Sequence, residues 1–193
     1  MALTLLLGNL MNNTKKNSTS PLHSPIAALL IIAALIAFDQ LTKVIAVKEL
    51  GGGKHIPLIP GVLELTLVQN RGAAFGILQD ARIFFFIITA AALCVIGYFL
   101  FHIPDTRHYL PLRLCLYFIA GGAAGNFIDR IALTYVRDFI YFCLIDFPVF
   151  NVADIYITCS AFALVLLTIF YYKDDKDFDF LKREKKAENG PGL

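Results

Sequence analysis

Charge is scarce in this chain. Of 193 residues, only 17% are Asp, Glu, Lys or Arg, while 58% are hydrophobic. A soluble domain typically carries about 25% charged and about 45–50% apolar residues. There is too little charge to coat a water-facing surface, which excludes a soluble enzyme, and the apolar content excludes a disordered tail protein. The net charge of +2 is too near neutral to suggest nucleic acid as a partner. Cys94, Cys115, Cys143 and Cys159 form no Cys-x-x-Cys pair and no metal-ligand spacing, so neither a disulfide framework nor a zinc site is indicated. The first residues are not expected to be a signal peptide. No basic region precedes the apolar residues 1–10, no small-residue cleavage site follows, and Lys15 and Lys16 come after. Residues 1–25 are therefore expected to be a polar cytoplasmic lead-in, with Met11 a second candidate start.

What the chain does have is apolar length. No Asp, Glu, Lys or Arg occurs from Asn17 to Phe38, Ile83 to Pro104, Leu114 to Ile128, or Ile155 to Tyr172. A spanning helix needs about 20 mostly apolar residues. Four spans are predicted, at about residues 26–47, 83–102, 112–131 and 154–172, making an integral membrane protein of all-α class. The first span must run through Asp39 and Lys43, and the third past Asp129 and Arg130. Four consecutive spans alternate in direction, so those two ends share one side of the membrane. That side also receives the long connections 48–82 and 132–153.

In the first connection, residues 56–59, a Pro60-Gly61 turn and residues 62–69 read as a hairpin. Leu63, Leu65 and Leu67 alternate there with Glu64, Thr66 and Val68, the period of a half-buried strand. The second connection is rich in aromatics and is expected to lie in the interface plane. With both termini in the cytoplasm, ten Lys and Arg face inward and seven outward, in the sense of the positive-inside rule. Residues 173–193 mix both signs and are expected to be a charged, disordered cytoplasmic tail.

Ionisable groups inside spans are costly and usually mark function. Here they gather on one rim, in five stretches, and each has a plainer alternative. Asp39 and Lys43 lie four apart on one helix face, where an ion pair with Lys43 snorkelling to the interface would suffice. Asn70, Gly72 and Gly76 could form a turn before the second span. Gly121 and Gly125 have the spacing for close helix packing in lipid, which leaves Asn126, Asp129 and Arg130 unexplained; Asp129 could pair with Arg130 or cap locally. Asp138 could be a solvated loop acid, but its apolar flanks argue for partial burial. Asn151 suits an N-cap, and Asp154 three residues later suits a capping box.

This rim has no Cys–His or Ser–Lys pair within reach of the spans and no histidine but His55, so nucleophilic or zinc chemistry is poorly supported. Paired carboxylates can hydrolyse without a covalent intermediate. Two held close cannot both ionise easily; the charged one takes a proton from attacking water and the protonated one donates to the carbonyl oxygen.

The five stretches, D-Q-L-T-K, N-R-G-A-A-F-G, G-G-A-A-G-N-F-I-D-R, V-R-D-F-I and F-N-V-A-D, resemble in sequence and order the motifs of the signal peptidase II family. The resemblance covers about residues 26–172. It implies an aspartic endopeptidase of the bacterial inner membrane, which removes prolipoprotein signal peptides by cutting before a cysteine that carries diacylglycerol. By motif match, Asp138 and Asp154 would be catalytic. Asp39, Lys43, Asn70, Gly72, Asn126, Asp129, Arg130 and Asn151 would support that dyad or bind substrate. The residues alone leave Asp129 as a rival to Asp138. The family's extracytoplasmic sheet and interfacial helix would correspond to the hairpin and the aromatic connection. The partners implied are the diacylglyceryl-modified prolipoprotein and membrane lipid, with the enzyme a monomer and no metal or organic cofactor required. A proton-coupled transporter would instead carry its charges near the midplane on broken helices, and a lipid or protein scaffold would not need paired acids.

Overall fold

The computed structural model describes residues 24–72 and 82–181. The expectations for the lead-in through residue 23, for Gly76 and for residues 182–193 lie outside these.

Four helices dominate: α1 (Pro25–Leu50), α2 (Arg82–His102), α3 (Leu110–Leu133) and α4 (Val152–Leu166). The last continues through a π-helical turn, Leu167–Tyr171. All four helical stretches are long and apolar enough to cross a bilayer, and the chain is a four-span membrane protein. Local chemistry sets the helix ends. Ser24 Oγ accepts from Ala27 N at 3.0 Å and Pro25 opens α1, the preferred pattern for a first turn. α1 stops at three glycines, of which Gly52 and Gly53 take φ of 77° and 80°, a conformation that costs a side-chain-bearing residue energy.

The turn delivers the chain to β1 (His55–Ile59), which pairs antiparallel with β2 (Leu63–Asn70). The second connection departs from expectation. It supplies no α-helix, but a third strand, β3 (Val136–Tyr141), antiparallel to β2, followed by a single 3-10 turn at Cys143–Ile145. The strand order is β1-β2-β3. A strand forms because Phe139 and Ile140 can bury against α1, β2 and the start of α4, while their backbone also bonds to Phe150. An interfacial helix would forgo that ladder.

Helix α3 is the centre of the bundle and touches the other three. Its glycines make the approach possible: a Cβ on Gly125 would lie 2.5 Å from Asp39 Oδ2, and one on Gly122 2.5 Å from the Ala153 carbonyl oxygen. Ala46, Leu50 and Phe139 form a small core under the sheet. A second core, at the opposite end, joins Ile96, Ile103, Tyr109, Leu116, Ala120 and Tyr172.

The described part of the tail, residues 173–181, is more ordered than its charge suggests. Residues Asp175–Leu181 form a 3-10 segment that docks on the short connection between α2 and α3. Asp177 is buried, its Oδ1 lying 2.8 Å from His108 Nε2, and Tyr109 donates its hydroxyl to the Asp177 carbonyl. The reason is that Phe178 and Phe180, scattered among the charges, pack onto the second core.

Candidate active site

The rim residues of α1, α3, β3 and α4 form two linked clusters. The inner one is an ion network. Lys43 is fully buried, with Nζ 2.9 Å from Asp39 Oδ2 and 3.6 Å from Asp129 Oδ2, so it does not snorkel. Asp129 pairs with Arg137, not with its neighbour Arg130. Arg137 Nε donates to Asp129 Oδ2 at 3.0 Å and Nη2 to Oδ1 at 2.6 Å. Gln40 fills the gap, donating to Asp39, Asp129 and the Gly125 carbonyl and accepting from Arg137. Two acids and two bases thus cancel, which is the condition for burying charge at tolerable cost. Asp39 does one thing more: its Oδ1 accepts from Ala153 N at 3.1 Å, in the first turn of α4.

The outer cluster contains Asp138 and Asp154. Strand register places Asp138 opposite Val68, two residues from Asn70, and Asn70 Nδ2 donates to Asp138 Oδ2 at 2.8 Å. Asn70 is in turn oriented by the backbone N–H of Gly72, 3.0 Å from its Oδ1. Asn151 Nδ2 donates to Asp138 Oδ1 at 2.6 Å. The same asparagine caps α4, accepting from Asp154 N while its own N–H donates to Asp154 Oδ2 at 3.0 Å. Asp154 therefore takes part in a capping box, and its other oxygen accepts from Asn126 Nδ2 at 2.8 Å. Asn126 closes the circuit, its Oδ1 accepting from Lys43 Nζ at 2.8 Å and Asn151 Nδ2 at 3.0 Å.

Among the described residues, the ion pairs engage Asp39 and Asp129 and leave Asp138 and Asp154 without one. Both unpaired acids line a cavity of about 410 Å³, together with Asn70, Gly72 and Arg130. The Arg130 guanidinium stacks 4.6 Å above the Phe85 ring. Residues 147–150 and Ile155 supply apolar wall, and Thr158 and Cys159 of α4 complete it. Burial, and then the neighbouring Asp154 charge, push the Asp138 carboxyl up to about 7, against the pull of the Asn70 and Asn151 hydrogen bonds and of Lys43. Among the described residues no three His, Cys, Asp or Glu side chains converge as a metal site would need.

All ten residues singled out from the sequence thus meet in these two clusters. Gln40 and Arg137 were missed, although both lie inside the quoted motifs. The available signal was strand alternation, which turns Arg137 to the face opposite Asp138, toward the helices.

The fold and this site define a multi-span membrane protein with a mostly apolar cavity, into whose wall two acids are set, at one end of its bundle. A profile of the family Signal peptidase (SPase) II matches residues 31–170. The chain is 42% identical over 148 residues to the lipoprotein signal peptidase of Streptococcus pyogenes serotype M5 (strain Manfredo), covering 76% of this chain and 93% of that one. It is 41% identical over the same length to that of serotype M3 (strain ATCC BAA-595 / MGAS315). Two solved structures, each described as a bacterial membrane enzyme, superpose with TM-scores of 0.68 and 0.67 at 34% and 35% identity. They cover 85% and 76% of this chain, and 96% and 95% of their own. The chain belongs to the signal peptidase II family, and is a peptidase of the membrane.

Proposed function

We propose that this peptidase removes signal peptides from bacterial prolipoproteins by aspartic catalysis at Asp138 and Asp154, cutting before a diacylglyceryl-modified cysteine. The observation that carries the reading is the contrast between the two clusters. Asp39 and Asp129 are neutralised by Lys43 and Arg137, while Asp138 and Asp154 are held by neutral amides at a cavity wall. Amides orient a carboxyl group without fixing its charge, so such a pair can pass a proton back and forth.

In the mechanism, Asp154 as carboxylate takes a proton from the attacking water, and the protonated Asp138 gives its proton to the scissile carbonyl oxygen. The tetrahedral diol then collapses as Asp154 gives its proton to the leaving cysteine nitrogen, the C–N bond breaks, and Asp138 takes back a proton from a diol hydroxyl, which restores both groups. A carboxyl at about 7 is suited to both halves of this cycle near neutral pH. Arg130, on the same cavity, can hold a substrate carbonyl oxygen. The acyl chains of a lipidated cysteine remain in the bilayer, which suits a cavity at the end of a span. Both termini face the cytoplasm and the site faces the extracytoplasmic side of the inner membrane, on the balance of Lys and Arg.

The test uses purified enzyme, a diacylglyceryl-modified prolipoprotein and a gel shift. Asn is isosteric with Asp, so Asp154→Asn keeps most of the cap, a contribution of about 1 kcal/mol, but cannot cycle a proton. Asp138→Asn and Asp154→Asn should each lower the rate per folded enzyme by at least roughly 10²–10⁴-fold, and the double variant should be little worse than either. Normal cleavage by both single variants would end the aspartic reading.

A further inference from the structure

We propose that Arg137, seconded by Gln40, is the positioning residue that sets Asp138 against Asp154, by tying strand β3 to the same turn of α3 that holds Asp154. This rests on the reading of Asp138 and Asp154 as the catalytic pair.

The strand ladder alone leaves Asp138 weakly placed. The β2–β3 register is irregular between Leu65 and Val68, immediately beside the Val68–Asp138 pair, and a slip of one residue would turn Asp138 to the opposite face. What resists the slip is Arg137. Its backbone N–H and its Nε both donate to Asp129 Oδ2 at 3.0 Å, and its Nη2 reaches Asp129 Oδ1 at 2.6 Å. A fourth bond, from Nη2 to Gln40 Oε1 at 2.8 Å, ties the strand to α1. Main chain and side chain of one residue therefore grip one fully buried carboxylate.

That carboxylate stands one helical turn from Asn126, whose amide donates to Asp154. Residues 126 and 129 are separated by a fixed rise of about 1.5 Å per residue. A single turn of α3 thus serves as the common reference for both acids, through Asn126 to Asp154 and through Asp129 and Arg137 to Asp138. The fork geometry matters as well as the charge. Lysine would pair with Asp129 as a point charge, without the two parallel N–H groups that fix direction.

Arg137 points away from the cavity and does not touch the reacting atoms, so its effect should fall on turnover. Cleavage of a diacylglyceryl-modified prolipoprotein is measured for parent, Arg137→Ala, Arg137→Lys and Asp138→Asn, each normalised to folded enzyme by thermal unfolding. Arg137→Ala should lower kcat roughly 10- to 100-fold, the scale of a small misplacement of a catalytic group, with KM within about threefold. Arg137→Lys should lie between it and the parent. In Arg137→Ala the pH–rate profile should shift to lower pH as water reaches the loosened Asp138, and millimolar ethylguanidinium should restore part of kcat. The same additive should do nothing for Asp138→Asn.

If Asp138→Asn is inactive while Arg137→Ala turns over like the parent, the positioning role is wrong and the dyad stands. Loss of kcat with an unchanged pH profile and no guanidinium rescue would reduce Arg137 to a structural residue, and also overturns the proposal. If Asp138→Asn cleaves normally, the dyad itself fails and the inference falls with it. Should Arg137→Ala not fold, Arg137→Gln is judged by the kcat and pH criteria alone.

Discussion

Asn151 Nδ2 lies 3.0 Å from Asn126 Oδ1, and this amide-to-amide hydrogen bond joins the two halves of the site. On one side of it Asn151 holds Asp138; on the other Asn126 holds Asp154 and accepts from Lys43. The acid pair is thereby connected to the ion network through neutral groups only. The separation leaves Asp39 and Asp129 paired with cations and Asp138 and Asp154 held by amides.

Asp129 is the test of that division. Asp129→Asn leaves Arg137 and Lys43 short of a buried counter-charge, and breaking a buried ion pair costs about 3–5 kcal/mol. The variant should lose thermal stability, while its cleavage rate per folded enzyme falls much less than that of Asp138→Asn. An inactive but stable Asp129→Asn, beside an active Asp138→Asn, would make Asp129 the dyad member.

Helix contact across α1 and α3 is set by a missing side chain. Gly125→Ala would place a Cβ 2.5 Å from Asp39 Oδ2, and Asp39 cannot retreat without releasing Lys43 and the start of α4. Yield and activity should both fall sharply. Gly97→Ala on α2, where a Cβ meets nothing within 4 Å, should leave both near the parental level, and the pair can be compared by size-exclusion recovery and cleavage rate.

The pH dependence of stability has a definite sign. Burial and the Asp154 charge raise the Asp138 carboxyl from its ordinary value of 3.8 to about 7 in the folded protein. Between those values the folded state holds a proton that the unfolded chain has released, so this group's favourable contribution is complete below 3.8 and is lost as pH rises through 7. The difference in Tm between Asp138→Asn and parent should therefore move in favour of the variant from pH 4 to pH 8. A difference independent of pH would place the Asp138 carboxyl at its ordinary value.

Orientation can be read with reporters. A fusion after Leu193 should be active only in the cytoplasm, and one inserted between Gly52 and Gly53 only outside. The reverse pattern would put the acid-lined cavity on the cytoplasmic side, where the proposed substrate's cleavage site is not found.

Much of this protein could be read from its sequence, because the relevant physics is local. A charge-free apolar run of about 20 residues crosses a bilayer whatever its neighbours are, and alternation around a Pro60-Gly61 turn makes a hairpin from adjacent residues. The motifs likewise carry Asp138, Asp154 and the asparagines, which the structure joins by hydrogen bonds.

What the tertiary structure decided were the partners. Lys43 could have snorkelled alone; Asn126 and Asp129, more than 80 residues away, keep it buried. Asp129 sits next to Arg130 in sequence, yet takes Arg137 because Arg130 turns toward Phe85 and the cavity. The aromatic connection became a strand because β2 offered an unpaired edge, and the charged tail docked through Phe178 and Phe180. A charge or a strand edge is satisfied by whatever folding brings within hydrogen-bond reach, and that distance is a property of the packed helices, which no local stretch of sequence contains.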